Sequence, residues 1–144
     1  MGIVGNPIFI TSSAGLIALH NSIRSICYNM LTGLSIPMKF DNEPKKFATS
    51  GLRCRVHIDT QDNSKVALGV EQYRYQGDVL LNIFDDLERG DKRILTAVGS
   101  MVRTFQTGST GNVIFQSPRI NILGIVDANY QVNLEVPFKS EQYE

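Results

Sequence analysis

Apolar positions in this chain recur at two periods, one of three to four residues and one of two, in alternating blocks. The first block is Leu16, Leu19, His20, Ile23, Ile26, Cys27, Met30 and Leu31. That spacing sets one side of a helix against a core. Asn21, Arg24, Ser25 and Asn29 fall on the other side. Ser12 or Ser13 suits the start and Gly33 the stop, so a helix is expected over Ala14–Thr32. Ahead of it, Gly, Pro, Ser and Thr surround a β-prone Ile8-Phe9-Ile10 without any period. Residues 1–13 therefore read as an arm attached to a single domain over 14–144. Ile8, Phe9 and Ile10 are too apolar to stand in water and too few to form a core. They are candidates for contact with a neighbouring subunit.

The next block has period two. Ile36-Pro-Met-Lys-Phe40 is short, and Pro37 assigns it to a sheet edge. A polar loop follows to Gly51. Cys54, Val56 and Ile58 then alternate with Arg53, Arg55, His57 and Asp59. This predicts a strand with one packed face and one wet, charged face open to a partner. Asp62-Asn63 carries turn chemistry, and a second strand is expected from Lys65 to Tyr75. Asp78 to Phe84 makes a third strand, with Val79, Leu81 and Ile83 on one face and Leu80 and Phe84 on the other. Apolar character on both faces means a central strand, or one whose outer face meets a partner. Arg53, Arg55, His57, Leu80 and Phe84 are thus interface candidates.

Helical spacing returns in Ile94, Leu95, Val98, Met101, Val102 and Phe105, from Glu88 or Asp91 to Gln106, with Gly108 as the stop. Closing strands are expected over Asn112–Gln116, Arg119–Val126 and Tyr130–Phe138. Helix, strands, helix, strands is the order of an α+β fold: an antiparallel or mixed β-sheet with two α-helices packed on one face.

Composition narrows the functional classes. A chain of 144 residues supports one proper core. Lys plus Arg equals Asp plus Glu, so the formal net charge is zero. That balance lacks the basic footprint of a nucleic-acid or polybasic membrane-surface binder, and it removes self-repulsion. No run approaches the ~18 apolar residues of a membrane span. The first apolar stretch has no basic start and breaks at Asn6-Pro7, so no secretory leader is expected. Gly2 lacks the Ser or Thr that myristoylation requires at the sixth position. Synthesis in a reducing cytoplasm is the default.

Candidate chemistry does not converge. His20 and Cys27 share a helix side but lie ~10.5 Å apart along it, too far for one tetrahedral ion. Cys54 and His57 face opposite sides of a strand. Buried free cysteine is in any case the commoner use of Cys27 and Cys54. Asp85, Asp86, Glu88 and Asp91 could hold a hard cation, but capping the following helix is the simpler role. Gly108-Ser-Thr-Gly111 follows a helix and leads into a strand, the reverse of a phosphate-binding loop. No nucleophile elbow is present. No enzymatic activity, cofactor or metal is expected.

Several segments together resemble the tail terminator proteins of long-tailed bacteriophages. They are the helix Ala14–Thr32, the stretch Phe40-Asp-Asn-Glu-Pro44, and the strand Leu52-Arg-Cys-Arg-Val-His-Ile58. Tyr75-Gln-Gly-Asp-Val-Leu-Leu-Asn-Ile-Phe84 follows, leading into the second helix. The closing strand Tyr130-Gln-Val-Asn-Leu-Glu-Val-Pro-Phe138 is the most telling. The resemblance covers nearly everything after Ala14. It implies a virion structural protein: a ring, typically of six subunits, that caps the head-proximal end of the tail tube and ends its polymerisation. The implied partners are other copies of the chain, the tail tube protein, and a head–tail connector or stopper. DNA would pass through the ring. The arm at 1–13 is longer than is usual in that family, and the loop Asp85–Gly90 is more acidic. A head–tail joining or head-completion protein is the near alternative. A small host enzyme or ligand-binding domain is the distant one.

Overall fold

The computed structural model describes residues 7–65, 72–107 and 113–143. Helix α1 spans Pro7–Gly33 and starts well before the expected cap. Proline is at home in a first helical turn, where its missing N–H would have no partner. The sequence Ile8-Phe9-Ile10 therefore lies in the opening turns of α1 rather than in an extended arm, which corrects the expectation for 7–13; residues 1–6 lie outside the described set.

The helix also ends differently. Its left-handed residue is Ser35, at φ 57°, rather than Gly33. The Ile36 N–H donates to the Leu31 carbonyl at 2.9 Å and the Ser35 N–H to that of Thr32 at 3.0 Å. This is a Schellman cap, and its usual apolar pair is supplied by the buried Leu31 and Ile36.

Among the described residues the sheet has six strands. At one edge β1, Met38–Phe40, runs parallel to β2, Arg53–Lys65. The Pro37 carbonyl extends this edge by accepting from the Cys54 N–H at 2.9 Å. β2 pairs antiparallel with β3, Gln72–Asp86. After β3 come helix α2, Lys92–Thr107, and the strands β4, Val113–Phe115, and β5, Arg119–Val126. The last strand, β6, Asn129–Tyr143, lies between β3 and the pair β4 and β5, antiparallel to all three.

Asp62-Asn63 does not turn the chain. Both residues stay in the β2–β3 ladder, opposite Gln76 and Tyr75, after an irregularity between Thr60 and Asp62. A bulge of this kind absorbs an extra residue without ending the pairing. Of the strand expected over Lys65–Tyr75, Lys65 ends β2, and the described part from Gln72 on forms one strand, β3, with the strand expected over Asp78–Phe84. The link between β2 and β3 falls within 66–71, outside the described residues. β5 and β6 are joined by Asp127 and Ala128, both at positive φ, 50° and 64°. This two-residue turn matches the twist of the strands it connects.

One face of the sheet holds the core. Cys54 and Val56 lie opposite Ile83 and Leu81, which in turn lie opposite Val132 and Leu134. All six are buried under Leu19, Ile23, Cys27 and Leu31 of α1 and Ile94, Val98, Met101 and Phe105 of α2. Each fully buried aliphatic side chain contributes about 1.5–3 kcal/mol. Phe105 meets Phe115 edge to face, with centroids 5.1 Å apart, and so ties α2 to β4. The architecture is an α+β fold with a mixed sheet and both helices on one side.

Candidate interaction surfaces

The outer face of the sheet was expected to be open along Arg53, Arg55, His57 and Asp59. Arg53 is in fact only 4% exposed. Phe47, from the loop between β1 and β2, folds over this end of the sheet and meets Phe84 edge to face at 5.9 Å. The Arg53 guanidinium lies under both rings, 5.6 Å from the Phe84 centroid and 6.0 Å from that of Phe47. It donates to the Gly51 carbonyl at 2.7 Å and to Asn129 Oδ1 at 2.8 Å. The Asp86 carboxylate, 3.7 Å from it, accepts in turn from the Gly51 N–H. Arg53 and Phe84 are therefore used within the chain. The sequence pattern missed this because the covering ring comes from a non-repeating loop.

The other candidates on this face are freer. Arg55 is exposed and places its guanidinium 4.9 Å from the Phe47 centroid. His57 is exposed, and its Nδ1 is hydrogen-bonded to the Asp41 carboxylate. Leu80 is half-buried in a shallow depression of about 380 Å³ lined also by Asn82, Arg119, Asn121, Asn133 and Glu135. An Arg119–Glu135 ion pair crosses its edge. Nothing in this depression forms a nucleophile–base pair.

The acidic cluster is divided among local tasks. Asp85, on the inner face, is fully buried and accepts from Arg93 Nε at 2.9 Å, from a second Arg93 nitrogen, and from the Asp86 N–H at 2.8 Å. Burial alone would raise its pKa. The hydrogen bonds from Arg93 and Asp86, with the charges of Arg93 and Arg89, outweigh burial and hold it below the ordinary aspartate value. Asp86 holds Gly51, and the Asp91 carbonyl accepts the first bond of α2 from the Leu95 N–H. Among the described residues no group of three or more His, Cys, Asp or Glu side chains could hold a metal ion.

His20 lies beside Arg24, Phe40, Val56 and Ile58 around a hollow of about 150 Å³. Its Nε2 is 3.1 Å from Thr60 Oγ1. Burial, then the Arg24 charge, lowers its pKa and so favours the neutral ring. Cys27 and Cys54 are fully buried free thiols. Burial pushes Cys27 up to about 12 and Cys54 well above its usual value.

The least protected surface lies elsewhere. Ile120, Ile122 and Ile125 of β5 stand opposite Leu134, Val132 and Tyr130, so they continue the helix-side face of the sheet. Yet they are 50%, 52% and 72% exposed, because neither helix reaches over them. Leu123, at the bulge between Ile122 and Gly124, is exposed as well. Among the described residues β5 has one neighbour, β6, and no strand pairs with its other edge. On α1, Leu16, Ile17 and Tyr28 are exposed too, singly among the exposed Asn21, Ser22, Arg24, Ser25 and Asn29. The sequence carried a signal for both. Arg119–Val126 has apolar residues at odd and even positions alike, and α1 holds a single formal charge, Arg24, in 27 residues.

No protein-family model and no curated protein matches the chain. Solved structures of similar fold include one that matches over 87% of this chain and 97% of its own, with a TM-score of 0.63 and 16% sequence identity. Its name conveys no activity, and at that identity the likeness concerns the fold alone. Among the described residues no helix is long and apolar enough to cross a membrane.

Proposed function

We propose that this chain is a structural protein of a long-tailed bacteriophage: a tail terminator whose copies form a ring, typically of six, at the head-proximal end of the tail tube. The observation that carries the reading is β5, a strand that pairs along one edge only among the described residues and has an apolar stripe that its own helices leave bare. Exposed apolar strands of this kind mark a protein contact, since an unprotected edge otherwise invites aggregation. The order of segments that resembles tail terminators adds the identity of the assembly.

The physical task is plain. A tube grows by stacking identical rings, and every added ring offers the same surface again, so growth has no intrinsic end. A different ring that fits the tube on one side and presents a new surface on the other stops it. The exposed Arg55 and His57 and the half-buried Leu80 supply polar and apolar groups for such a second partner, the connector or stopper. DNA must pass through the ring without being held, which suits a chain of zero formal net charge.

Electron micrographs of lysates made without this chain test the reading. The expected result is overlong tubes that do not join heads. Tails of normal length that join heads would overturn it; free tails of normal length would favour a joining protein instead.

A further inference from the structure

We infer that copies of this chain join head to tail by main-chain pairing, β5 of one copy against the edge of β2 that lies beyond β1 in the next. The inference rests on the ring reading and names its subunit contact. Among the described residues β1 covers β2 only as far as Val56, and on that side no strand pairs with Ile58 or Thr60. At the far end of the sheet β5 pairs only with β6. Each edge is regular for a short stretch and then irregular, after Thr60 in β2 and after Ile122 in β5.

The directions of the backbone groups fit these two edges together. The Cys54 N–H donates to the Pro37 carbonyl, so Cys54 and, by alternation, Ile58 and Thr60 point their N–H and C=O away from β3. At the other end the Gln116 N–H donates to the Pro137 carbonyl. β6 pairs with β3 without irregularity, so its odd-numbered residues all point their backbone groups toward β4 and β5. Glu135 and Asn133 are thus the residues that bond Arg119 and Asn121, and Ile120 and Ile122 point theirs outward.

Opposed residues in an antiparallel pair share both a face and a hydrogen-bonding state. Ile58 and Thr60 continue the helix-side alternation of Cys54 and Val56, and Ile120 and Ile122 lie on that same face. β2 and β5 run in opposite directions, since three antiparallel pairings separate them. A second copy set beside the first in the same orientation therefore continues the sheet with its helix side unbroken. The register that uses both regular stretches sets Ile122 opposite Ile58 and Ile120 opposite Thr60, and these two pairs exchange about four main-chain hydrogen bonds. His20 of α1 lies 3.1 Å from Thr60 Oγ1, so Ile120 arrives beside a roofed part of the face. On the outer face Asn121 then meets Asp59, with Arg119 on the diagonal, so the neighbouring charges are unlike. Affinity in such a join comes from main-chain bonds rather than area, and ring closure makes several weak joins hold together. Two-fold pairing of β5 with β5 would leave Ile58 and Thr60 unpaired, whereas head-to-tail pairing uses both edges and closes into rings.

Cysteine pairs test this, with melting curves confirming that each variant folds. Asn121→Cys and Asp59→Cys chains, mixed at up to about 1 mM under mild oxidation, should form their mixed disulfide at least about tenfold faster than either chain forms its own. Cys27 and Cys54 are buried and stay out of the reaction. Ile120→Cys with Thr60→Cys, the helix-side pair in the same register, should behave alike and serves if Asp59→Cys fails to fold. Asn121→Cys with Arg55→Cys, out of register, should show no such excess. Ile122→Pro added to the Asn121→Cys chain removes one outward N–H at an edge, which the monomer tolerates, and should abolish the excess. A dominant Asn121→Cys homodimer would mean two-fold pairing of β5. No excess of mixed disulfide in either pair, or an excess that survives Ile122→Pro, would mean that these edges do not join through the main chain. Any of these results overturns the inference. The ring on a tube end is judged separately, by the lysates.

Discussion

Gly77 lies against the backbone of Asp59 so closely that a Cβ at Gly77 would fall 1.9 Å from the Asp59 carbonyl oxygen. The contact sits where the β2–β3 ladder crosses its irregularity at Thr60. Backbone atoms in a central ladder cannot swing aside as a side chain can. Gly77→Ala should therefore destabilise the fold by about 3 kcal/mol or more, through strain in the hairpin. Urea unfolding checks it, and a loss under ~1 kcal/mol would mean the strands separate there at little cost.

Among the described residues five hold left-handed backbone without being glycine, two of them Ser35 at the end of α1 and Ala128 in the β5–β6 turn. A side chain in that conformation meets its own carbonyl, and glycine relieves the clash. Ser35→Gly and Ala128→Gly should each stabilise the protein by about 0.5–1 kcal/mol, additively, since they lie in separate turns. Thermal melting of both singles and the double variant reads this directly.

Asp85 links acid stability to the start of α2. Its folded pKa lies below the ordinary aspartate value because Arg93 and the Asp86 N–H favour the carboxylate more than burial disfavours it. The unfolded carboxyl titrates near 3.9. The stabilisation is therefore complete above that pH and is lost as pH falls below it and through the lower folded value. Asp85→Asn should flatten the acid limb of stability against pH. An unchanged acid limb would place the sensitivity elsewhere.

Cys27 and Cys54 face each other's elements inside the core and are held as neutral thiols by burial. A thiol reagent at pH 8 should label neither cysteine in the folded protein and both in urea, because only the thiolate of an accessible cysteine reacts. Fast labelling of the native state would mean that α1 lifts from β2 far more readily than its packing indicates.

How much of this was legible follows from how local each determinant is. The stripe of α2 and the alternation of β6 are written in consecutive turns and pleats; α2 stands where its period puts it, while β6 starts as expected but runs on to Tyr143, past the expected end at Phe138. The first turns of α1 were hidden because Ser, Thr and Pro read as loop composition, although Pro7 suits a helix start. Asp62-Asn63 carries turn residues, yet the ladder runs on through a bulge. The burial of Arg53 depends on Phe47, and that of Asp85 on Arg93 across to α2; neither partner is set by a period. The bare stripe of β5 was visible only as apolar residues on both parities, and its exposure depends on how far the helices reach.

The most direct test of the account images the purified protein added to tail tubes that lack it, with class averages viewed down the tube axis. The account predicts a closed ring of identical subunits at one end of each tube, absent from the tube wall, and no further addition of tube protein at that end. Protein scattered along the wall, or tubes that keep growing past it, would contradict the terminator reading.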